Sequence, residues 1–191
     1  RISAYTDIPQ RVLVAYENAQ RTITATDPGC HMSWATLAGI GRAESRHGTH
    51  GGATVLSNGE ESQPIIGPAL DGTTAGLQVV HDTDHGKLDG DPKWDHALGP
   101  MQFLPETWKR YGMRADRDGR APDPQNMDDA ALTAAHYLCL RGGNLETGRG
   151  WWSAVLTYNN SVDYGLEVFS AAVAYAKASH EPATSTAPTG N

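Results

Sequence analysis

One carboxylate in this sequence is placed where a proton donor would be of use. Glu44 closes the stretch Gly39-Ile40-Gly41-Arg42-Ala43-Glu44-Ser45-Arg46-His47-Gly48. Gly41, Leu37 and Trp34 precede it at helical spacings of three to four, so Glu44 shares the stripe that Trp34 and Leu37 turn toward the interior. Burial and the negative end of a helix dipole both disfavour the ionised form and raise the pKa. A carboxyl so placed can hold a proton near neutrality and deliver it to an oxygen as a general acid. The competing reading is a surface ion pair with Arg42 or Arg46, which would carry no chemistry.

Other residues could do chemistry of different kinds. Asp82, Asp84, Asp89, Asp91 and Asp95 crowd one glycine-rich stretch, where aspartates ordinarily cap turns but could also activate a water. His81 with His85, or His47 with His50, could be drawn as zinc ligands, yet no His-Glu-x-x-His pattern occurs. Asp116, Asp118 and Gly119 have the look of a calcium loop, with Arg114 where its first ligand would stand. The expectation is therefore no metal and no cofactor. Trp94, Trp108, Trp151 and Trp152 could instead be stacking platforms of a carbohydrate-binding module, although their spacing is mostly that of helix cores.

The elements that must position these groups are largely helical. With 191 residues, 39% of them hydrophobic, the chain suffices for one ordinary domain, and a net charge of -7 argues against nucleic acid as the main partner. Ile8, Val12, Tyr16, Ala19 and Ile23 mark a first amphipathic helix, entered near Pro9 and closed by Asp27-Pro28-Gly29. Ser33 is placed to cap the helix that carries Glu44 and runs to Gly48. From there to about Leu98 sustained periodicity is lost, apart from a short hairpin about Ala53-Thr54-Val55-Leu56 and Asn58-Gly59. Pro105 opens a short helix stopped by Gly112. Ala131, Leu132, Ala135, Leu138 and Cys139 mark a buried-face helix ended by Gly142-Gly143. A further helix spans about Trp151 to Tyr158, and the last carries Val162, Leu166, Phe169, Val173 and Ala176 on one face. Residues 1–180 thus read as one domain, and 181–191, rich in Pro, Thr and Ser, as a disordered tail or linker. No apolar run is long enough to span a bilayer. Cys30 and Cys139 are either two core thiols or one disulfide.

Three separated motifs can now be read together: Glu44-Ser45 at a helix end, Gly99-Pro100-Met101-Gln102-Phe103, and Leu156-Thr157-Tyr158-Asn159-Asn160 before the last helix. The set, over roughly Ile8 to Ala178, resembles lytic transglycosylases. The long gap from Glu44 to Gln102 and the run Phe103-Leu104-Pro105-Glu106-Thr107-Trp108 are more similar to the membrane-bound B type and its secreted actinobacterial relatives. The resemblance implies a mainly α, lysozyme-like fold with a loop-rich insertion. It implies a secreted or cell-wall-associated monomer that cleaves the MurNAc-β-1,4-GlcNAc bond of peptidoglycan glycan strands. It makes Glu44 the single acid/base and gives Ser45, Met101, Gln102, Tyr158 and Asn159 to the substrate. Export also favours a Cys30 to Cys139 disulfide. The rival is a hydrolytic muramidase that uses Asp89, Asp91 or Asp95 as a second carboxylate.

Overall fold

The computed structural model describes residues 2–4 and 6–180; the tail expected at 181–191 lies outside them. Six α-helices carry these residues: α1 Gln10–Thr26, α2 Trp34–Ser45, α3 Pro105–Tyr111, α4 Met127–Gly142, α5 Gly148–Tyr158 and α6 Val162–His180. The chain is thus mainly α, as the periodicity and the resemblance both required. The stripe Ile8, Val12, Tyr16, Ala19 and Ile23 is buried in full. Ser33 caps α2 by accepting from the Ala35 N–H, and Asn126 caps α4 by accepting from Asp128 and Asp129.

The central helix is α2. Ala35 through Gly41 are all buried, which suits a helix enclosed on most sides, with α1 and α6 as its chief neighbours. Two glycines permit this closeness. A Cβ on Gly39 would stand 2.7 Å from the Val168 carbonyl oxygen of α6, and one on Gly41 would stand inside contact distance of the Tyr16 hydroxyl. The α6 face that meets α2 is accordingly Gly165, Val168, Ala171, Ala172 and Tyr175. The larger apolar face of α6 that the sequence displays, Val162, Leu166, Phe169 and Val173, points to solvent instead. Close helix approach selects small side chains, so the more apolar face is not the buried one.

The stretch between α2 and α3 has turns and isolated bridges rather than regular strands. The expected hairpin is present as one bridge, Val55 to Glu61, closed by the Leu56 N–H donating to the Glu60 carbonyl. Farther on, residues 65–70 lie against 95–99 through the Gly67 N–H to Ala97 and the Gly99 N–H to Ile65. The Asp-rich turns between them are held by their own carboxylates. Asp82 accepts from the N–H groups of Asp84, His85 and Gly86, and Asp84 from those of Lys87 and Leu88.

Cys30, just before α2, and Cys139, in α4, form a disulfide across 109 residues. Closing a loop of that length restricts the unfolded chain more than the folded one. Reduction with a thiol reagent should therefore lower the unfolding free energy by roughly 2 to 5 kcal/mol, read from denaturant midpoints with and without reductant. An unchanged midpoint would mean that the bond carries no stability.

Glu61 is the one carboxyl whose two oxygens are both buried without a hydrogen-bond partner among the described residues. It lies against Gly48 and Val55, and burial raises its pKa from 4.5 to about 8. The folded state thus keeps the Glu61 proton over a range where the unfolded chain has lost it. Its stabilising effect is complete below pH 4.5 and is lost as pH rises toward 8. Glu61→Gln should make the protein more stable than its parent above about pH 8 while narrowing the gap toward acid. Thermal midpoints measured across that pH range test it, and a difference independent of pH would refute it.

Candidate active site

At the end of α2 the backbone turns left-handed, with φ of 49° at Arg46 and 60° at His47. The Arg46 N–H returns to the Arg42 carbonyl and the His47 N–H to the Gly41 carbonyl, satisfying two of the helix's terminal acceptors. The helix therefore stops at Ser45, three residues before the Gly48 at which its end was expected. His47 is fully buried as a consequence. Tyr16 Oη lies 2.9 Å from its Nδ1, Tyr175 Oη lies 2.9 Å from its Nε2, and Tyr175 Oη donates in turn to Asp7 at 2.5 Å. Because the Tyr175 proton goes to Asp7, Tyr175 must accept from Nε2–H. That leaves Nδ1 to accept from Tyr16, which fixes a neutral imidazole tautomer. Burial agrees, drawing the His47 pKa down to about 4. Every polar atom of the imidazole is used in anchoring the turn.

Glu44 lies in the last turn of α2, only partly exposed. Its Oε1 accepts a hydrogen bond from Tyr164 Oη at 2.7 Å. Burial raises its pKa to about 7, opposed by the Tyr164 bond and reinforced by the charge of Glu167. Tyr164 keeps its own proton, since burial and the neighbouring Glu44 push its pKa well up. The geometry yields a carboxyl that exists in both protonation states near neutrality, the property required of one group that acts first as acid and then as base.

Ser45 joins Glu44 to the second motif. Its hydroxyl donates to the Pro100 carbonyl at 2.6 Å and accepts from the Gly48 N–H at 2.8 Å, and the residue is buried. Its oxygen is thus engaged in holding the helix end against the Gly99–Gln102 loop. Met101 is fully buried, and its carbonyl accepts from Tyr158 Oη at 2.6 Å. Gln102 adopts a left-handed φ of 54°, a conformation that costs a side chain on the order of 1 kcal/mol. Its amide holds that shape by donating to the Gly99 carbonyl at 3.0 Å. Beside Tyr158 runs a groove of about 170 Å³ that Gln78, Gln102, Leu104, Thr107 and Tyr137 also line. Asn159, at the end of α5, is exposed, and only its backbone N–H is engaged by the helix, at the Val155 carbonyl.

The end of α2 thus meets the Gly99–Gln102 loop through the Ser45 to Pro100 bond, and Tyr158 is attached to the same loop through Met101, while Asn159 makes no side-chain hydrogen bond to either. The phenol bonded to Glu44 is nevertheless Tyr164, which the sequence reading did not single out. The turn Asn159-Asn160-Ser161 reverses the chain, with the Tyr164 N–H on Ser161 Oγ and the Gly165 N–H on the Ser161 carbonyl. The first turn of α6 thereby reaches α2. Tyr164 has one sequence signal, its position in the first turn of the last helix, five residues after Asn159.

The rival carboxylates are otherwise occupied. Asp95 is fully buried and accepts from both the Thr83 N–H and its hydroxyl. Asp89 accepts from the N–H groups of Asp91 and His96, while Asp91 accepts from Lys93 and Trp94 and pairs with His96 at 3.0 Å. In the loop that looked like a calcium site, Arg114 binds Asp118 and the buried Asp129 with its guanidinium. Among the described residues, two sets of three candidate ligands have atoms that converge. One is Asp27 with the disulfide-bonded Cys30 and Cys139, and the other is Asp82, Asp84 and Asp95. Neither includes a histidine. His47 serves the tyrosines described above, and His81 stacks on Trp94 at 4.5 Å.

Residues 73–167 match the family model described as a transglycosylase SLT domain. The matched stretch contains Met101, Gln102, Tyr158, Asn159 and Tyr164 and does not reach back to Glu44. It supports a lytic transglycosylase or lysozyme-like family and does not separate the B type from others. No curated protein and no solved structure matches the chain.

Removing the Tyr164 hydroxyl deletes the contact that favours ionised Glu44. Tyr164→Phe should therefore move the Glu44 titration upward from about 7. Carboxyl-carbon NMR through a pH series reads this directly, and a downward or absent shift would contradict the assigned hydrogen bond.

Proposed function

We propose that this protein is a peptidoglycan lytic transglycosylase of the B type or its secreted actinobacterial relatives, acting outside the cell on the MurNAc-β-1,4-GlcNAc bond. The observation that carries the reading is the Glu44 carboxyl, desolvated to a pKa of about 7 and bonded to Tyr164, beside a loop within a match to a transglycosylase domain. Protonated Glu44 gives its proton to the bridging oxygen as the bond from the muramoyl C1 breaks. The substrate's own N-acetyl group supports the positive charge at C1. The C6 hydroxyl then bonds to C1 and returns its proton to Glu44, which leaves a 1,6-anhydromuramoyl end and a free GlcNAc hydroxyl. Every atom and proton is accounted for without water.

In this reading Ser45 and Tyr158 hold the loop, and Gln102 with Asn159 contacts the sugars. One feature supports the internal hydroxyl over water as the nucleophile. Asp89, Asp91 and Asp95 are bound into their own turns, and a hydrolase of this architecture would need one of them free to activate water.

Glu44→Gln should lower glycan cleavage by at least about a hundredfold, the lower end of what a general acid contributes, with circular dichroism unchanged. Cleavage should also fall as pH rises through about 7, because the acid form is the one needed for the first step. Mass spectrometry of digested peptidoglycan should show muropeptides that resist borohydride reduction, and alanine at any of the three aspartates should leave that product unchanged. Predominantly reducible muramic acid ends would establish the hydrolase instead.

A further inference from the structure

The most apolar surface of α6 is left largely uncovered among the described residues. Val162, Leu166, Phe169 and Val173 are 65%, 50%, 48% and 51% exposed. They recur at intervals of four, three and four, so they form one continuous stripe along the helix. The stripe extends onto α5, where Trp152 stacks on Phe169 at 6.3 Å and Trp151 meets it edge-on at 5.6 Å. Four large apolar side chains aligned in solvent mark a surface that is covered by something.

The charges beside the stripe indicate what covers it. Asp163 and Lys177 are both exposed, and neither takes part in an ion pair among the described residues. They are fourteen positions apart, almost four full turns, and so flank the stripe on the same side, one near each end. Phe169 and Ser170 lie midway between them. A two-fold rotation about that midpoint places Leu166 of one helix against Val173 of another and Asp163 against Lys177, twice over. The pattern is complementary to itself when reversed, which an isologous contact requires. A lipid surface would instead call for cations along both edges, and this chain carries a net charge of -7.

We propose that a second copy of this chain docks antiparallel on the α6 stripe, forming a two-fold dimer centred on Phe169 with reciprocal Asp163 to Lys177 pairs at its edge. The resemblance implies a monomer; the stripe gives the chain a partner. Tyr164 leaves α6 about 200° round the helix from Val162, toward Glu44, so both active sites stay open.

Sedimentation velocity of the intact chain, from a few to several hundred micromolar, tests the proposal. The expected result is a shift with concentration toward twice the 20.4 kDa chain mass. Phe169→Glu should raise the midpoint concentration at least about tenfold, the equivalent of 1.4 kcal/mol. Asp163→Lys and Lys177→Asp should each weaken association, and the double exchange should restore it, which keeps the test valid even where Phe169→Glu misfolds. A single species of monomer mass throughout, or a double exchange no better than the single ones, would overturn the dimer. So would a monomer that binds polymeric glycan or lipid vesicles through Phe169.

Discussion

A carboxyl group cannot leave water at the C-terminal end of a helix without a cost in ionisation, and the rest of this structure follows from arranging that cost. Glu44 meets unfavourable surroundings on three counts: a low-dielectric environment, the negative pole of α2, and the charge of Glu167. Against these stands one phenol, Tyr164, at 2.7 Å. The balance leaves the group near half-protonated at neutrality. To hold it, α2 must be enclosed almost completely, which explains its run of Ala, Leu, Ile and Gly and the small-residue face of α6 packed upon it.

The enclosure must also prevent the helix end from fraying, because a loose last turn would return Glu44 to water. Two polar links do this. The chain of hydrogen bonds from Tyr16 through His47 and Tyr175 to Asp7 fixes the left-handed turn from behind. Ser45 fixes it from the front by its bond to Pro100. Both links are satisfied and, apart from the Asp7 end of the first, buried, the condition under which polar groups in a core make structure specific.

Much of this was legible in the sequence. Helix positions followed from the three-to-four periodicity and from Ser33, Pro105, Gly112 and Gly142-Gly143, because caps and breakers act locally. Glu44 was legible for the same reason, its placement depending only on residues one and two turns back. What was not legible depended on contacts between distant segments. The end of α2 came before Gly48 because His47 found buried partners in α1 and α6. The exposed stripe of α6 was indistinguishable in sequence from a core stripe, since hydrophobicity does not report which face α2 can approach closely. Tyr164 was missed because its role exists only once the turn at Asn159-Asn160-Ser161 has brought α6 back to α2. Asp89, Asp91 and Asp95 were legible as turn formers, and that is the use the fold makes of them.

The stretch from Gly48 to Gly99 leaves and rejoins the helical body at nearly one place. Ser45 bonds both to the Gly48 N–H, where the excursion starts, and to the Pro100 carbonyl, where it finishes, and residues 65–70 are zipped to 95–99 within it. The first half of the stretch is also tied to the helical body, with the Arg11 guanidinium donating to the Ser57 carbonyl, the Met127 N–H to the Gly59 carbonyl and the Glu61 N–H to the Gln125 carbonyl, whereas the turns at 71–94 bond only within residues 70–96. Lengthening those turns carries little thermodynamic expense, each doubling of a flexible loop costing only about 0.6 kcal/mol. Those turns can therefore be remodelled while the end of α2 and Glu44 keep their place.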